Sequence, residues 1–303
     1  MKARVDGQSS AGAAPGTRRG GRHTRLLVGV VAVLVAVAIW GSIEVPSGPA
    51  AGRDVGGPPT TTAPADRLRI GSFNIHGGRG TDGQSDLART AAALEAVDLD
   101  VVALQEVIGP FPNAFTSHDQ ASLLGERLAV AHLFAPTERR WWRDSFGNGL
   151  LTRVPIEAWQ RIPLASPGGS GERNLLLTEA RAGGRRVRVL ATHIDRQRPH
   201  DAQLRTAIAL FRMLEPPVVL LGDLNTRADH PILRSLTDDA AIENPLREHV
   251  PDLSPAHIDW VFARGLDSTA AGVGPTGASD HPLVWAEFDW RGVAGTTTRV
   301  TSP

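Results

Sequence analysis

The chain has 303 residues, with 32 lysine and arginine side chains, 32 aspartate and glutamate side chains and no cysteine. This length is enough for one large domain, or two small ones, with a well-buried core. The lack of cysteine excludes disulfides and thiolate metal sites. The even charge balance argues against a protein that binds long DNA duplexes tightly through their backbone, because such proteins usually present a basic face.

The N-terminal region has the pattern of a membrane segment. Residues 1–25 carry six basic side chains and one acidic side chain, which leaves 26 basic against 31 acidic residues in the rest. Residues 26–43 follow with no charged side chain. The pattern predicts a disordered, basic cytoplasmic tail over 1–25 and a transmembrane anchor over 26–43, with a cleaved signal peptide as the rival and a buried helix as the third interpretation.

The anchor interpretation places the remainder of the chain outside the cytoplasm, on a single-pass cell-membrane protein, and the signal interpretation makes it a secreted protein. Glycine, proline and threonine dominate residues 44–66, which predicts a flexible linker. Residues 67–290 have the character of one folded domain, and residues 291–303 that of a short disordered tail. We expect a monomer.

Within residues 67–290 the apolar pattern alternates between strands and helices. Ser85 and Asp86 are candidate caps for the first helix, and a Pro216–Pro217 pair closes the last. This order favours a single α/β domain built around a sheet, and its helices are spaced too irregularly for a βαβ barrel. The predicted strands are 69–75, 100–107, 149–152, 175–181, 186–193, 218–223, 258–262 and 283–288, and the predicted helices are 87–97, 120–129 and 201–214.

Polar residues close or begin most of these strands. Strand side chains alternate between faces, so Asp223 and Asn225 should point the same way with Leu224 opposite. One such residue at a strand end would mean little, but the same chemistry recurs at six ends. The residues in question are Asn74, Glu106, His193, Asp223, Asn225, Asp259, Asp280 and His281.

These residue types suit hydrolysis of a phosphoester with a divalent metal. Hard cations such as Mg²⁺ prefer carboxylate and amide oxygens, which Glu106, Asp280 and Asn74 offer. Asp223 is suited to orient or deprotonate the attacking water, and Asn225 and His193 to donate hydrogen bonds to phosphoryl oxygens.

A His281–Asp259 pair would hold an imidazole in one tautomer and keep it cationic near phosphate. His76, His257 and Asp195 lie beside these strings, and we interpret them as supporting or structural residues.

The six strings, taken in order, resemble the motifs of the endonuclease/exonuclease/phosphatase superfamily, which has the deoxyribonuclease-I-like fold. The resemblance implies a four-layer α/β sandwich, in which two packed mixed β-sheets are flanked by helices, and Mg²⁺- or Mn²⁺-dependent hydrolysis. It also implies Asn74, Glu106 and Asp280 near metal, Asp223 and Asn225 at the water and phosphate, His193 and His281 on the phosphate, and Asp259 supporting His281. The strings are Ser72–Phe73–Asn74–Ile75, Leu104–Gln105–Glu106–Val107, Ala191–Thr192–His193–Ile194, Gly222–Asp223–Leu224–Asn225, Ile258–Asp259–Trp260–Val261 and Ser279–Asp280–His281–Pro282.

Other positions bear on the substrate. Arg173 and Asn148 resemble positions that family members keep near the substrate, and Trp141 with Trp142 is either a substrate- or lipid-contacting loop or a partly buried plug. The favoured function is a phosphodiesterase or phosphatase acting outside the cytoplasm on lipid head groups or small phosphoesters. A secreted or membrane-tethered nuclease is the second hypothesis, and an inactive binding module on the same fold is the third.

Overall fold

A computed structural model describes residues 28–35, 50–58, 67–110, 118–140, 143–164, 173–197 and 200–290. The chain divides into two units, at residues 1–42 and 43–303. In the first unit, residues 28–35 form a short exposed helix. No helix among the described residues has the length and apolar character needed to cross a membrane. The rest of the predicted segment 26–43 lies outside the described residues, as do the whole of the tail 1–25 and the whole of the tail 291–303.

The second unit contains two mixed sheets of six strands each. Sheet I has the order β1–β6–β7–β8–β9–β10, and sheet II has the order β11–β12–β2–β3–β5–β4. Among the strand pairs of the described residues, β8–β9 and β2–β3 are parallel and the others are antiparallel. The strands are β1 (Ala50–Gly52), β2 (Arg67–Asn74), β3 (Val101–Ile108), β4 (Ala131–Arg140), β5 (Arg143–Thr152), β6 (Ile156–Leu164), β7 (Arg173–Ala182), β8 (Arg185–His193), β9 (Val218–Asp223), β10 (Asp259–Arg264), β11 (Leu266–Val273) and β12 (Val284–Trp290).

Among the described residues of this unit, four α-helices cover the outer faces of the two sheets, and a fifth, short helix contributes Leu246 to the core between them. Asp86 caps the first helix by accepting a hydrogen bond from Ala88 N, as its position before the apolar pattern predicts. His76–Gly78 forms a single 3₁₀ turn after β2. The helices are α1 (Leu87–Glu95), α2 (Gln120–Leu128), α3 (His200–Met213), α4 (Pro231–Thr237) and α5 (Pro245–His249).

Three apolar clusters separate the layers. The central one lies between the sheets and joins Ile70 and Leu150 of sheet II to Val189 and Val261 of sheet I. A second buries α3 and α4 against the outer face of sheet I, and a third buries α1 and α2 against sheet II. The order helix, sheet, sheet, helix confirms the predicted four-layer sandwich, and apolar burial on both faces of each sheet stabilises it.

The structure differs from the predicted flexible linker over residues 50–58. Ala50–Gly52 is β1, the strand at one edge of sheet I, where it pairs with β6, and Gly56 exchanges two backbone hydrogen bonds with His132 on β4, a strand at one edge of sheet II. Val55 between them packs against the central core. This segment, which we call the strap, therefore joins the two sheets at one side, because its backbone groups and Val55 find partners there.

Candidate active site

Three neighbouring strands of sheet I bring three predicted site residues side by side. In the register of β8, β9 and β10, His193 lies beside Asp223, and Asp223 lies beside Asp259. Their exposed fractions are 4%, 1% and 1%. Burying three ionisable groups together is costly unless they are paired, so such a row marks a candidate functional site.

Sheet II contributes Asn74 and Glu106 from the ends of its parallel strands β2 and β3. The amide nitrogen of Asn74 donates to Glu106 Oε1 at 3.2 Å and to Asp223 Oδ2 at 3.1 Å, so one side chain connects the two sheets. Asn74 Oδ1 accepts from His76 N at 3.1 Å. In this orientation the Asn74 amide holds two carboxylates in place and directs its oxygen to backbone.

Unusual backbone conformations occur at the site. Glu106 has a φ of 57° where β3 changes register against β5, and Asn225 has a φ of 47° just after β9. Positive φ is uncommon outside glycine and is held only where the surroundings fix it. Gly222 has a φ of 145°, and a Cβ there would lie 1.9 Å from Thr192 O. Glycine is therefore required for β8 and β9 to approach each other beside Asp223.

Asp223 is the centre of the hydrogen-bond network. Its Oδ1 accepts from Asn225 N at 2.8 Å, and its Oδ2 lies 3.4 Å from His193 Nε2. Burial, reinforced by the negative charge of Asp259, raises the pKa of Asp223 to about 6, against the opposing effect of His281. This carboxyl therefore exchanges its proton near neutral pH.

His193 is held as a neutral imidazole. Burial lowers its pKa well below the usual range, and the charges of Arg173 and His281 act in the same direction. Asn225 Nδ2 lies 3.3 Å from His193 Nε2 and donates to Ile194 O at 2.9 Å. Asn225 thus fixes the end of β8 to the segment that follows β9.

His281 is paired with Asp259. Its Nδ1 lies 2.9 Å from Asp259 Oδ2, and its Nε2 lies 3.7 Å from Asp223 Oδ2. Burial disfavours the imidazolium, but the hydrogen bond with Asp259 and the charges of Asp259, Asp223 and Asp280 outweigh it and raise the pKa of His281 to about 9. The ring is therefore cationic at neutral pH, and its Nε2–H is directed toward the Asp223 carboxylate.

Asp280 occupies the exposed side of the cluster, with 55% of its side chain accessible. Its Oδ1 lies 3.3 Å from Ser279 Oγ and 3.2 Å from His76 Nδ1. The Ser279 hydroxyl donates its one proton to Asn74 O at 2.7 Å, which fastens this loop to the end of β2. The sequence prediction gave His76 a supporting or structural role, which its contact with Asp280 fits, and it gave Ser279 no role although that residue lies within a motif.

The donor set around Asn74 suits a hard divalent cation. Glu106 contacts the Asn74 amide, Asp280 follows Ser279, which donates to the Asn74 carbonyl, and both carboxyl side chains are partly accessible to water. Among the described residues, no lysine or arginine forms an ion pair with either carboxylate. Mg²⁺ prefers one or two carboxylates and retains several waters, so these residues fit such an ion.

The remaining candidates lie around this cluster in different ways. Asn148 is buried away from water and donates to Asn174 Oδ1 at 2.9 Å, while Thr192 Oγ1 donates to Asn174 O, so these residues brace the strands beneath the site. Asp195 accepts from Gln197 N in a turn. Trp141 and Trp142 lie outside the described residues.

The fold and the cluster together define a class, the α/β sandwiches that hydrolyse phosphoester bonds. A family model described as the endonuclease/exonuclease/phosphatase family matches residues 71–281, and the chain belongs to that family. The match covers almost all of the described sandwich and each of the eight predicted site residues. A sequence comparison with curated proteins gave no match.

Solved structures of the same fold agree with this assignment. An endonuclease/exonuclease/phosphatase from Beutenbergia cavernae DSM 12333 is 26% identical with a TM-score of 0.61, over 74% of this chain and 72% of that one. A family member from Bacteroides vulgatus is 15% identical with a TM-score of 0.60, over 74% and 99%. D. rerio TDP2, complexed with single strand DNA product, is 18% identical with a TM-score of 0.56, over 74% and 99%.

Proposed function

We propose that this protein is a divalent-metal-dependent phosphoester hydrolase whose active site is the cluster centred on Asp223. One observation carries the proposal, the unbroken series of contacts from Asp259 through His281, Asp223 and Asn74 to Glu106. It combines a cation and a carboxyl of raised pKa, both largely buried, with a hard-oxygen donor set that water can reach. Phosphoester hydrolysis needs these three elements together.

Glu106 and Asp280 would hold the metal, either Mg²⁺ or Mn²⁺, and Asn74 would fix the carboxylates around it. When bound, the metal would supply Lewis-acid stabilisation of the phosphoryl oxygens. Asn74 reaches Asp223 as well as Glu106, so it also sets the spacing between the metal site and the catalytic carboxyl.

Asp223 is proposed to orient the attacking water and accept its proton. A general base works best when its pKa lies near the operating pH, and burial brings this carboxyl to about 6. Asn225 N and Asn74 Nδ2 engage its two oxygens and leave it a defined orientation. The water's oxygen then attacks phosphorus as its proton passes to the Asp223 carboxylate, and the P–O bond to the ester oxygen breaks, so that the alcohol leaves as an alkoxide that solvent protonates.

His281 is proposed to donate its Nε2–H to a phosphoryl oxygen and to stabilise the charge that develops there. Asp259 keeps the ring cationic and correctly turned, since it occupies Nδ1. His193 and Asn225 are proposed to complete the phosphate side of the site, with Asn225 also holding His193 in position. The third hypothesis, an inactive binding module, is disfavoured because the whole contact series is present.

We propose that the enzyme is a phosphodiesterase or phosphatase that acts outside the cytoplasm, and that its substrates are lipid head groups or small phosphoesters. The proposal that the protein is membrane-anchored or secreted rests on the sequence of residues 1–43 alone. We also propose that the protein is a monomer. A nuclease is the second candidate. It is favoured by the structural likeness to D. rerio TDP2, which was solved with a single strand DNA product.

One experiment tests both the reaction and its substrate. Bis-p-nitrophenyl phosphate, single-stranded DNA, plasmid DNA, RNA, sphingomyelin and phosphoinositides are compared at one Mg²⁺ concentration, with and without EDTA. We expect turnover of at least one phosphoester that EDTA abolishes and Mg²⁺ or Mn²⁺ restores. Metal-independent turnover would reject the mechanism, and preferred cleavage of DNA or RNA would replace the small-phosphoester proposal with the nuclease.

A further inference from the structure

A second group of metal-ligating side chains shares no residue with the Asp223 cluster and lies where α3 and α4 begin. His200 and Asp201 are the first two residues of α3, and His230 is the residue before α4. One ligand atom from each of the three side chains lies within 4.8 Å of the others. His200 Nδ1 is 3.0 Å, and His230 Nε2 is 3.6 Å, from the same oxygen, Asp201 Oδ1.

The proton positions on His200 follow from its neighbour Thr226. The Thr226 hydroxyl gives its only proton to Leu224 O, so it can only accept at the 2.9 Å contact with His200 Nε2. His200 Nε2 must therefore carry a proton. In the neutral ring this leaves a lone pair on Nδ1, and that lone pair faces the Asp201 carboxylate at 3.0 Å.

Two lone pairs cannot face each other at that distance without something positive between them. A second proton on His200 is one solution, and a metal ion is the other. A metal-bound histidine usually donates its other ring N–H to a second residue, which fixes the tautomer and the ring plane. The buried Thr226 hydroxyl already makes this contact with His200.

We propose that His200, Asp201 and His230 form a metal site of the Zn²⁺ class, with His200 Nδ1, Asp201 Oδ1 and His230 Nε2 as ligands and water completing the coordination. Two imidazoles and one carboxylate suit Zn²⁺, whereas the oxygen donors at Glu106 and Asp280 suit Mg²⁺. The two sites would therefore select different ions. The group is open to solvent, since 62% of the Asp201 side chain and 31% of the His230 side chain are accessible.

Metal binding would change one existing contact. Ile232 N now donates to His230 Nδ1 at 3.3 Å, which places the ring proton on Nε2. Coordination at Nε2 moves that proton to Nδ1 and gives up this hydrogen bond. This hydrogen bond is longer than most that N–H groups donate, so its loss opposes metal binding only weakly. In return the ion would link the starts of α3 and α4.

The test measures binding of Zn²⁺ and of Co²⁺ to the full chain with Mg²⁺ in excess. Co²⁺ in a tetrahedral nitrogen and oxygen site has a strong visible spectrum, and Zn²⁺ should displace it and raise Tm. His230→Asn keeps an oxygen that can cap α4 but removes the imidazole. Asp201→Asn removes the carboxylate. We expect each variant to weaken binding by at least the roughly 10–100-fold that follows loss of an outer-shell partner.

Two further variants separate this site from other causes. Thr226→Val leaves all three ligands and removes the acceptor of His200 Nε2–H, together with the Thr226 hydrogen bond to Leu224 O, so it should weaken Zn²⁺ affinity by about 10–100-fold. Glu106→Gln, which alters the proposed Mg²⁺ site, should leave Zn²⁺ affinity unchanged. The proposal is overturned if wild-type protein gives no Co²⁺ spectrum and no Zn²⁺-dependent rise in Tm, or if His230→Asn and Asp201→Asn bind Zn²⁺ as wild type does.

Discussion

His281 Nδ1 lies 2.9 Å from Asp259 Oδ2, and the same ring places Nε2 3.7 Å from Asp223 Oδ2. The imidazole therefore lies between two buried carboxyls, those of Asp223 and Asp259, which are opposite each other in the register of β9 and β10. Asp259 is close enough for a full hydrogen bond and Asp223 is not. Because of this difference, Asp259 fixes the orientation of the ring, whereas Asp223 stays available to water or substrate.

The first prediction concerns the two groups at the centre of the proposed chemistry. Asp223→Asn removes the proposed proton acceptor, and His281→Ala removes the cation next to it. Each change should lower kcat by about 10²–10⁴-fold, the range expected for a general acid–base group. Steady-state kinetics with bis-p-nitrophenyl phosphate and Mg²⁺ provide the measurement. Asp229→Asn, on an exposed side chain, is the matched control and should keep the wild-type rate; near-normal kcat in His281→Ala would remove that residue from the mechanism.

A second prediction addresses the ionisation of His281 directly. Asp259→Asn takes away the hydrogen-bonded carboxylate and its charge, while the burial of the ring remains. The pKa of His281 should then fall from about 9 toward, or below, the ordinary histidine value near 6.5. NMR titration of the histidine ring protons in EDTA would measure both values without metal. An unchanged pKa in the variant would show that Asp259 does not control the charge of His281.

The close approach of β8 and β9 gives a third prediction, which concerns stability. In Gly222→Ala the new Cβ would lie 1.9 Å from Thr192 O, so backbone must move beside Asp223. Gly184→Ala is the matched control, because Gly184 also has positive φ but a Cβ there meets nothing within 4 Å.

Urea unfolding should show Gly222→Ala to be less stable than this control by about 1–3 kcal/mol, the usual cost of overpacking. Equal free energies of unfolding for the two variants would show that β8 and β9 move apart to fit the new Cβ without any loss of stability.

The strap supports a fourth prediction. A chain that starts at residue 50 keeps every strap contact, whereas one that starts at residue 59 loses Val55 and the Gly56–His132 hydrogen bonds. The shorter chain should be less stable by about 1–2 kcal/mol, because a partly buried valine is removed. Thermal unfolding of both chains tests this, and both should retain activity. Identical Tm values would show that the strap contributes nothing to stability.

The sequence was sufficient to predict the elements with strong apolar patterns. Strand 218–223 and helix 201–214 were predicted to within a residue or two of their observed bounds, because their burial is nearly continuous or strongly one-sided. The strands β4, β6 and β11 were missed. Pro136 and Pro163 interrupt two of them, and β11 is only partly buried along most of its length, so local signals favour loops there.

For the candidate site, residue types and strand positions predicted which side chains would gather, but not how they would be oriented. Nothing in the sequence indicates that Asn74 directs its nitrogen to Glu106 and Asp223, since this depends on the His76 backbone reaching its oxygen. The positive φ of Glu106 is likewise set by a register change between strands far apart in sequence. The strap was missed because glycine- and proline-rich composition resembles that of a free linker.

The strap also has a consequence for the order of folding. Its partners are Arg161 and its neighbours on β6 and His132 on β4, all of which are synthesised long after residues 50–58 have left the ribosome. The first part of the sandwich to be synthesised therefore docks only after the middle of the chain has been made, and the edge of β6 stays unpaired until then. Open strand edges are templates for intermolecular pairing, so the interval before docking is when a nascent chain is most exposed to aggregation.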